Sequence, residues 1–478
     1  MSHDNDKQSS TKVSRREFVT TAAATAAGLT IVPRHVLGAG YQAPSDTVNV
    51  AVVGYVHGMG TSNLMNVAKS DNIVALCDVD TSDAAKAALV KNGIPEKFPK
   101  AKMHQDFRKM LESQKDIDAV VVATPDHNHA IVAMTAMQLG KHVYVQKPLT
   151  RTIAEARALT EAARKYKVVS QMGNQGHSEE GLRLMQEWVA AGAIGAVREV
   201  HCWTNRPVWP QGYERPTDTP PVPEGFDWDL WIGPTTMRPY NPAYHPFSWR
   251  AWQDFGAGAM GDMACHVMDA AFTVLKLGAP ESIIASEAFN VVKSPGSPVS
   301  GYGGSHRVEY NDSYPPASVI HVSFPARGDM PPVKLHWYDG GILPERPDEL
   351  ELERRLPESG TIFVGEKGKM MCETYSEGPR LIPETAMTAF TRPPKTLPRV
   401  PGGRDGHEKN WLDAIRTHGQ AVSHFDYAGP FTEVVLLGNV ALHFPGTRLM
   451  WDSANMKVTN QPDADRFIHP NFRQGWTL

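Results

Sequence analysis

From Val48 onward the chain alternates short apolar runs with helix-like stretches, and this alternation constrains its fold more than any other feature. The runs are Val48–Val53, Ile73–Cys77, Ala119–Ala123, His142–Val145 and Val168–Met172. Between them lie stretches of helical character at 61–69, 81–92, 104–112, 127–139 and 152–166. A run that is apolar on nearly every residue has to be covered on both faces, as in a parallel sheet flanked by helices. Right-handed crossovers then give a doubly wound α/β domain, predicted over residues 46–170. Such sheets bind their ligands at the carboxyl ends of the strands. The residues that follow each run are therefore the first place to look for chemistry.

The first run ends in Gly54-Tyr55-Val56-His57-Gly58-Met59-Gly60, just before a helix. Backbone N–H groups in such a turn can cradle a pyrophosphate. The usual GxGxxG spacing would place glycine at 54, 56 and 59, whereas this chain has Val56 and Met59, as if one residue were inserted. Taken alone, the turn could equally be a ligand-free connection. The second run ends in Cys77-Asp78-Val79-Asp80, which places Asp78 24 residues after Gly54. That is where a carboxylate grips an adenosine ribose, and its negative charge favours NAD over NADP. The alternative for Asp78 is to cap the next helix, a task Asp80 or Ser82 could also perform.

Two later strand ends read Thr124-Pro125-Asp126-His127-Asn128-His129 and Gln146-Lys147-Pro148. Together with Gly256-Ala257-Gly258-Ala259-Met260-Gly261-Asp262-Met263-Ala264-Cys265-His266, this succession resembles the Gfo/Idh/MocA oxidoreductases. The resemblance implies a Rossmann-type doubly wound parallel sheet followed by an α+β domain, over 171–478, with a large, mainly antiparallel open sheet. It also implies NAD between the two, a small carbohydrate substrate and a homo-oligomer, dimer or tetramer. Lys147 takes the place of the family's active-site lysine. The family's Glu-Lys-Pro is here Gln-Lys-Pro, so Gln146 offers an amide to the nicotinamide ribose. Gly54, His57, Gly58, Met59, Asp78, Thr124, Pro125, His129, Gln146, Asn174 and Gln175 are the expected cofactor contacts.

Asp262 and His266 are spaced i, i+4 on an apparent helix and share one face, with Asp269 near it. A carboxylate can orient an imidazole and raise its proton affinity, and an imidazole titrates in the range a general base for alcohol oxidation needs. Lys147, Asp262 and His266 are accordingly the expected catalytic group. Outside this context the same spacing would read as a surface ion pair.

Six of the 11 Trp lie between Trp203 and Trp252, and residues 207–246 hold ten of the 37 Pro. So much proline makes this a conformationally restricted loop. Its aromatics could form a platform for a pyranose, with His177, Tyr213, Trp249 and Arg250 as substrate contacts, or they could simply pack the loop down. Further on, 317–324 and 333–338 alternate as half-buried antiparallel strands do, 360–369 reads as strand and turn, and 407–440 as helices.

The N-terminus carries Ser14-Arg15-Arg16-Glu17-Phe18-Val19 ahead of a short Ala/Thr-rich apolar stretch, and resembles a twin-arginine export signal over 1–38. Its removal would change the net charge from −4 to −6. That machinery moves folded proteins, so a cofactor bound before export, and a periplasmic location, are expected. The near-balanced charge without a basic stripe argues against nucleic acid, and no apolar run is long enough for a stable membrane span. Four Cys without a CxxC pair indicate neither a metal cluster nor a disulfide scaffold. One further alternative is a binding protein that kept this fold and lost catalysis.

Overall fold

The computed structural model describes residues 46–298 and 302–478. The export-signal segment at 1–38 lies outside the described residues. The first sheet has six parallel strands: β1 (Asn49–Val53), β2 (Asn72–Cys77), β3 (Lys102–His104), β4 (Ala119–Val122), β5 (His142–Val145) and β6 (Ser170–Met172). Their order is β3-β2-β1-β4-β5-β6. Chain direction across the sheet thus reverses between β1 and β4, which opens a crevice at their carboxyl ends. β3 was not read from the sequence, because Lys102–Met103–His104 is short, edge-bound and mostly exposed.

Burial explains the composition of the strands. Every residue of β4 is buried, as are four of the five in β1. The helix Asp126–Gln138 is buried over most of its surface, lying between this sheet and later helices. The helix Ile153–Tyr166 begins with a capping box in which Glu155 N donates to Thr152 Oγ1 and Thr152 N donates to Glu155 Oε2. The late helix His407–Thr417 returns to this sheet. There Trp411 packs on Tyr144, and Glu408 Oε1 accepts from Asn63 at 2.7 Å and Asn66 at 3.2 Å.

The second sheet has nine strands: β7 (Val197–Trp203), β8 (Ser282–Glu287), β11 (Ser318–Phe324), β12 (Val333–Tyr338), β13 (Gly360–Gly365), β14 (Gly368–Cys372), β15 (Arg380–Ile382), β16 (Leu449–Asp452) and β17 (Lys457–Val458). A hairpin of β9 (Val291–Lys293) and β10 (Ser305–Arg307) stands beside it. The order is β15-β14-β13-β7-β12-β11-β8-β16-β17, antiparallel except for β7 with β12. β11 alternates strictly between buried and half-buried residues, as its period predicted. Its buried face meets the helix Phe425–Ala441, where Gly438 lies close to Ile320 and Met260. No helix among the described residues is long and apolar enough to cross a membrane.

The Pro-rich stretch is a loop around one short helix, Trp228–Ile232. Its Trp209, Trp228, Trp231, Trp249 and Trp252 are all buried in a core of their own with Phe226, Tyr244 and Phe255. Packing is therefore their main task. The loop also pairs by backbone with the end of β2: Thr81 N donates to Gly225 O at 2.9 Å and Asp227 N to Val79 O at 3.0 Å.

Candidate functional site

The turns after β1 and β4 meet where the strand order reverses. Gly54 has φ +82°, and a Cβ there would lie 2.7 Å from Thr124 N and 2.8 Å from Ala123 O. A Cβ on Gly60 would fall 1.9 Å from Gly54 O. Glycine is required at both positions by the close approach of backbone to backbone. The irregular spacing has a structural counterpart at Val56, which is buried and whose N–H donates to Asp78 Oδ2 at 2.9 Å. Asp78 Oδ1 accepts from Asp80 N at 3.1 Å. Burial raises the Asp78 carboxyl above its usual range, against those two backbone bonds.

These residues line one deep pocket. Gly54, His57, Gly58, Met59 and Asp78 form its first wall, with Thr124, Pro125, His129 and Gln146 beside them. Thr124 Oγ1 is buried there without a hydrogen-bond partner. The fit to a dinucleotide is good: the turn leaves no side chain between backbone and pocket at Gly54 and Gly58, an acid ends β2, and Thr124 Oγ1 is left without a partner beside them. His129 ties the two turns together, its ring nitrogens lying 2.8 Å from Thr124 O and 2.8 Å from Pro148 O. Burial pushes this imidazole down to about 4. Gln146 is drawn to the protein, donating from Nε2 to Asn63 Oδ1 at 2.9 Å.

Lys147 and Asp262 close one end of the pocket. Lys147 Nζ donates to Asp262 Oδ1 at 2.8 Å and to Asp262 O at 2.7 Å. Arg250 Nε approaches the same Oδ1 at 3.4 Å, while its guanidinium lies over the rings of Trp249 and Phe247 at 4.2 and 4.5 Å. Burial alone would raise the Asp262 carboxyl, but the charges of Lys147 and Arg250 outweigh it and hold it at about 2. Of the expected substrate contacts, Trp249 and Arg250 line the pocket, whereas Tyr213 is exposed outside it.

Behind this pair the expected groups separate. His266 follows Asp262 on the helix Gly258–Val267 but is only 4% exposed and does not line the pocket. Its Nδ1 is buried without a partner, and Tyr375 meets its ring edge-on at 4.7 Å. Burial, assisted by the Lys147 charge, pushes it well below the ordinary imidazole range. His177 belongs to another cluster, its Nδ1 3.0 Å from Asp269 Oδ1, with Tyr427 donating to the same carboxylate. Asn174 accepts from Ser423 Oγ at 2.6 Å, and neither it nor Gln175 reaches the pocket.

Asp126 was missed by motif reading. It lines the pocket, accepts from Ala257 N at 3.1 Å, and is raised by burial to about 7 despite Arg250 and Lys147. Its signal was an acid in the first turn of a helix at a strand end. The four cysteines are all buried and free.

A parallel sheet whose reversal point holds a glycine turn, an acid after β2 and a Lys–Asp pair at the cleft is a Rossmann-type arrangement suited to a dinucleotide. Residues 48–174 match the oxidoreductase family, NAD-binding Rossmann fold, and 196–283 its C-terminal alpha/beta domain. These two stretches together make up less than half of the chain, and over them it is similar to the NAD-binding and C-terminal domains of the Gfo/Idh/MocA oxidoreductases. It is 29% identical over 167 residues to levoglucosan dehydrogenase of Pseudarthrobacter phenanthrenivorans, covering 35% of each chain. It is also 29% identical over 212 residues to a glycosyl hydrolase family 109 protein of Saccharopolyspora erythraea, covering 40% of this chain and 46% of that one. The chain spans less than half the length of these relatives. The WlbA dehydrogenase of Bordetella pertussis, solved with NADH and UDP-GlcNAcA, shares the fold with TM-score 0.56 at 15% identity, over 85% of this chain and 99% of that one.

Proposed function

We propose that this protein is an exported oxidoreductase that oxidises a secondary alcohol carbon of a sugar or glycoside. One observation carries the reading: Lys147, Asp262 and Arg250 converge at the end of a pocket whose other walls suit a dinucleotide. Bound NAD supplies the hydride acceptor. Lys147 holds the substrate hydroxyl and steadies the oxygen as negative charge develops on it. Asp262 fixes the lysine through two hydrogen bonds to one residue. The hydroxyl proton passes to Asp126, which lines the same pocket and whose carboxyl burial raises to about 7; His266 lies behind Asp262, outside the pocket lining. Arg250, spread over Trp249 and Phe247, offers donors to sugar hydroxyls beside an apolar face. The levoglucosan dehydrogenase relative and the twin-arginine motif at Arg15–Arg16 support the substrate class and the export.

Outside the cytoplasm no pool of free NAD replaces a reduced molecule, so the cofactor is retained. The cycle closes when a second substrate, or a later intermediate of the first, takes the hydride back. A second reading follows from the family 109 relative. Oxidation at C3 of a pyranoside acidifies the C2 proton; loss of that proton from C2 and of the aglycone from C1 leaves an enone, water adds back with its oxygen at C1 and a proton at C2, and the hydride then returns to C3. A product assay on a panel of glycosides separates the two. A keto-sugar that retains its aglycone supports net oxidation, a released aglycone without redox change supports elimination, and neither product from any glycoside contradicts both.

A further inference from the structure

Three metal-ligating side chains from distant segments meet at the rim of the pocket: His57 in the glycine-rich turn, Asp80 after β2, and His245 in the Pro-rich loop. His57 Nε2 lies 3.0 Å from Asp80 Oδ2, and His245 Nε2 lies 4.0 Å from the same oxygen. One donor atom from each falls within 4.8 Å of the others. The two imidazoles meet edge to face with centroids 5.0 Å apart. Two imidazoles and one carboxylate are a donor set that borderline divalent ions accept. Around a tetrahedral ion with bonds of about 2.0–2.2 Å, donors stand about 3.3–3.6 Å apart. The observed spacings bracket that range, and small rotations of the two rings would reach it.

The frame around these donors is fixed. Asp80 Oδ1 accepts from Ser82 N at 3.0 Å, which leaves Oδ2 turned to the imidazoles. The His245 ring packs on Phe226 at 4.5 Å, and Phe226 is itself bridged to Asp80 through the backbone. Asp80 and His245 are largely shielded, with side chains 6% and 14% exposed, while His57 at 33% leaves an entry path. We propose that His57, Asp80 and His245 bind one first-row divalent cation, zinc foremost, which pins the Pro-rich loop to the glycine-rich turn at the pocket mouth. Three protein donors leave a fourth position for water. His57 and His245 also line the cofactor pocket, but the site uses none of Lys147, Asp262 and Arg250 and does not depend on their assignment.

The test is a metal count. The purified full chain, stripped with a chelator, is titrated with Zn²⁺ and with Co²⁺. The expected result is one equivalent per chain, with the visible absorption of four- or five-coordinate Co²⁺, and affinity weaker by about tenfold or more in Asp80→Asn and in His245→Gln. No binding at micromolar free metal, or wild-type affinity in both variants, overturns the site. Should a substitution disturb folding, pulsed electron paramagnetic resonance of the Cu²⁺-loaded wild-type protein counts the coordinated imidazoles. Two are expected, and any other number overturns the assignment.

Discussion

The two walls of the pocket are built on different principles. The first is made of turns that directly follow β1, β2, β4 and β5, so each of its residues is placed by the strand just before it. The opposite wall comes from the Pro-rich loop and the helix Gly258–Val267, and is placed by packing: Trp231 against Trp228 at 4.6 Å and Phe255 at 4.8 Å, with Arg250 laid over Trp249. A wall set by local backbone geometry should fail locally when altered, and a wall set by packing should fail as a unit.

The chemistry spans both walls, and its loss is the largest expected effect. Lys147→Met should lower turnover by about 10²–10⁴-fold, with NAD binding retained because the glycine turn and Asp78 are left intact. Steady-state rates with a cofactor titration check this, and unchanged turnover would remove Lys147 from the reaction. Next comes the packed wall. Trp231→Ala should cost about 3–5 kcal/mol, as large buried aromatics do, and should loosen Arg250 along with the rest of the loop. Denaturant unfolding measures it, and a loss under about 1 kcal/mol would show that the loop holds itself by other means.

Acid should weaken both walls. Burial holds His127 and His407 down at about 3 and His129 at about 4, so these stay neutral in the native chain. The unfolded chain takes up their protons below about 6.5. Their stabilisation is therefore complete above that pH and is lost progressively as pH falls toward 4. Asp126, at about 7, works in the opposite sense over the same window and offsets part of the loss. The urea midpoint should be lower at pH 5 than at pH 7.5 with an unchanged slope, and a flat profile would mean that these imidazoles are not held neutral. The smallest effect is on the first wall's support. Thr152→Ala removes one capping bond and should cost about 0.5–2 kcal/mol, read as a modest drop in thermal midpoint without change in turnover.

What was legible in the sequence follows the same division. Val50 to Val53, Ala119 to Val122 and Val143 to Val145 declared the first sheet because burial on both faces leaves continuous apolar runs. Gly54, Asp78 and Thr124 could be placed because each stands directly after a strand. The convergence of His245 on Asp80, of Glu408 on Asn63, and the separation of His177 from Lys147 depend on how segments far apart in the chain dock. No short motif encodes such docking. The i, i+4 spacing put Asp262 and His266 on one helix correctly, but it could not show that Lys147 would take the carboxylate and that the imidazole would be buried behind it. The five tryptophans of the loop core pack mainly on one another, and Trp231 and Trp249 also line the pocket.

The central claim is that the pocket formed by Gly54, Asp78 and Thr124 carries NAD. The most direct measurement is to denature the purified protein without added cofactor and to quantify the nicotinamide released by mass and absorbance, for the wild type and for Gly54→Val. Gly54 at φ +82° has no room for a side chain against Thr124 N, so the account predicts close to one NAD(H) per wild-type chain and little in the variant. A wild-type protein that releases none, and takes up none when NAD is added, would contradict it.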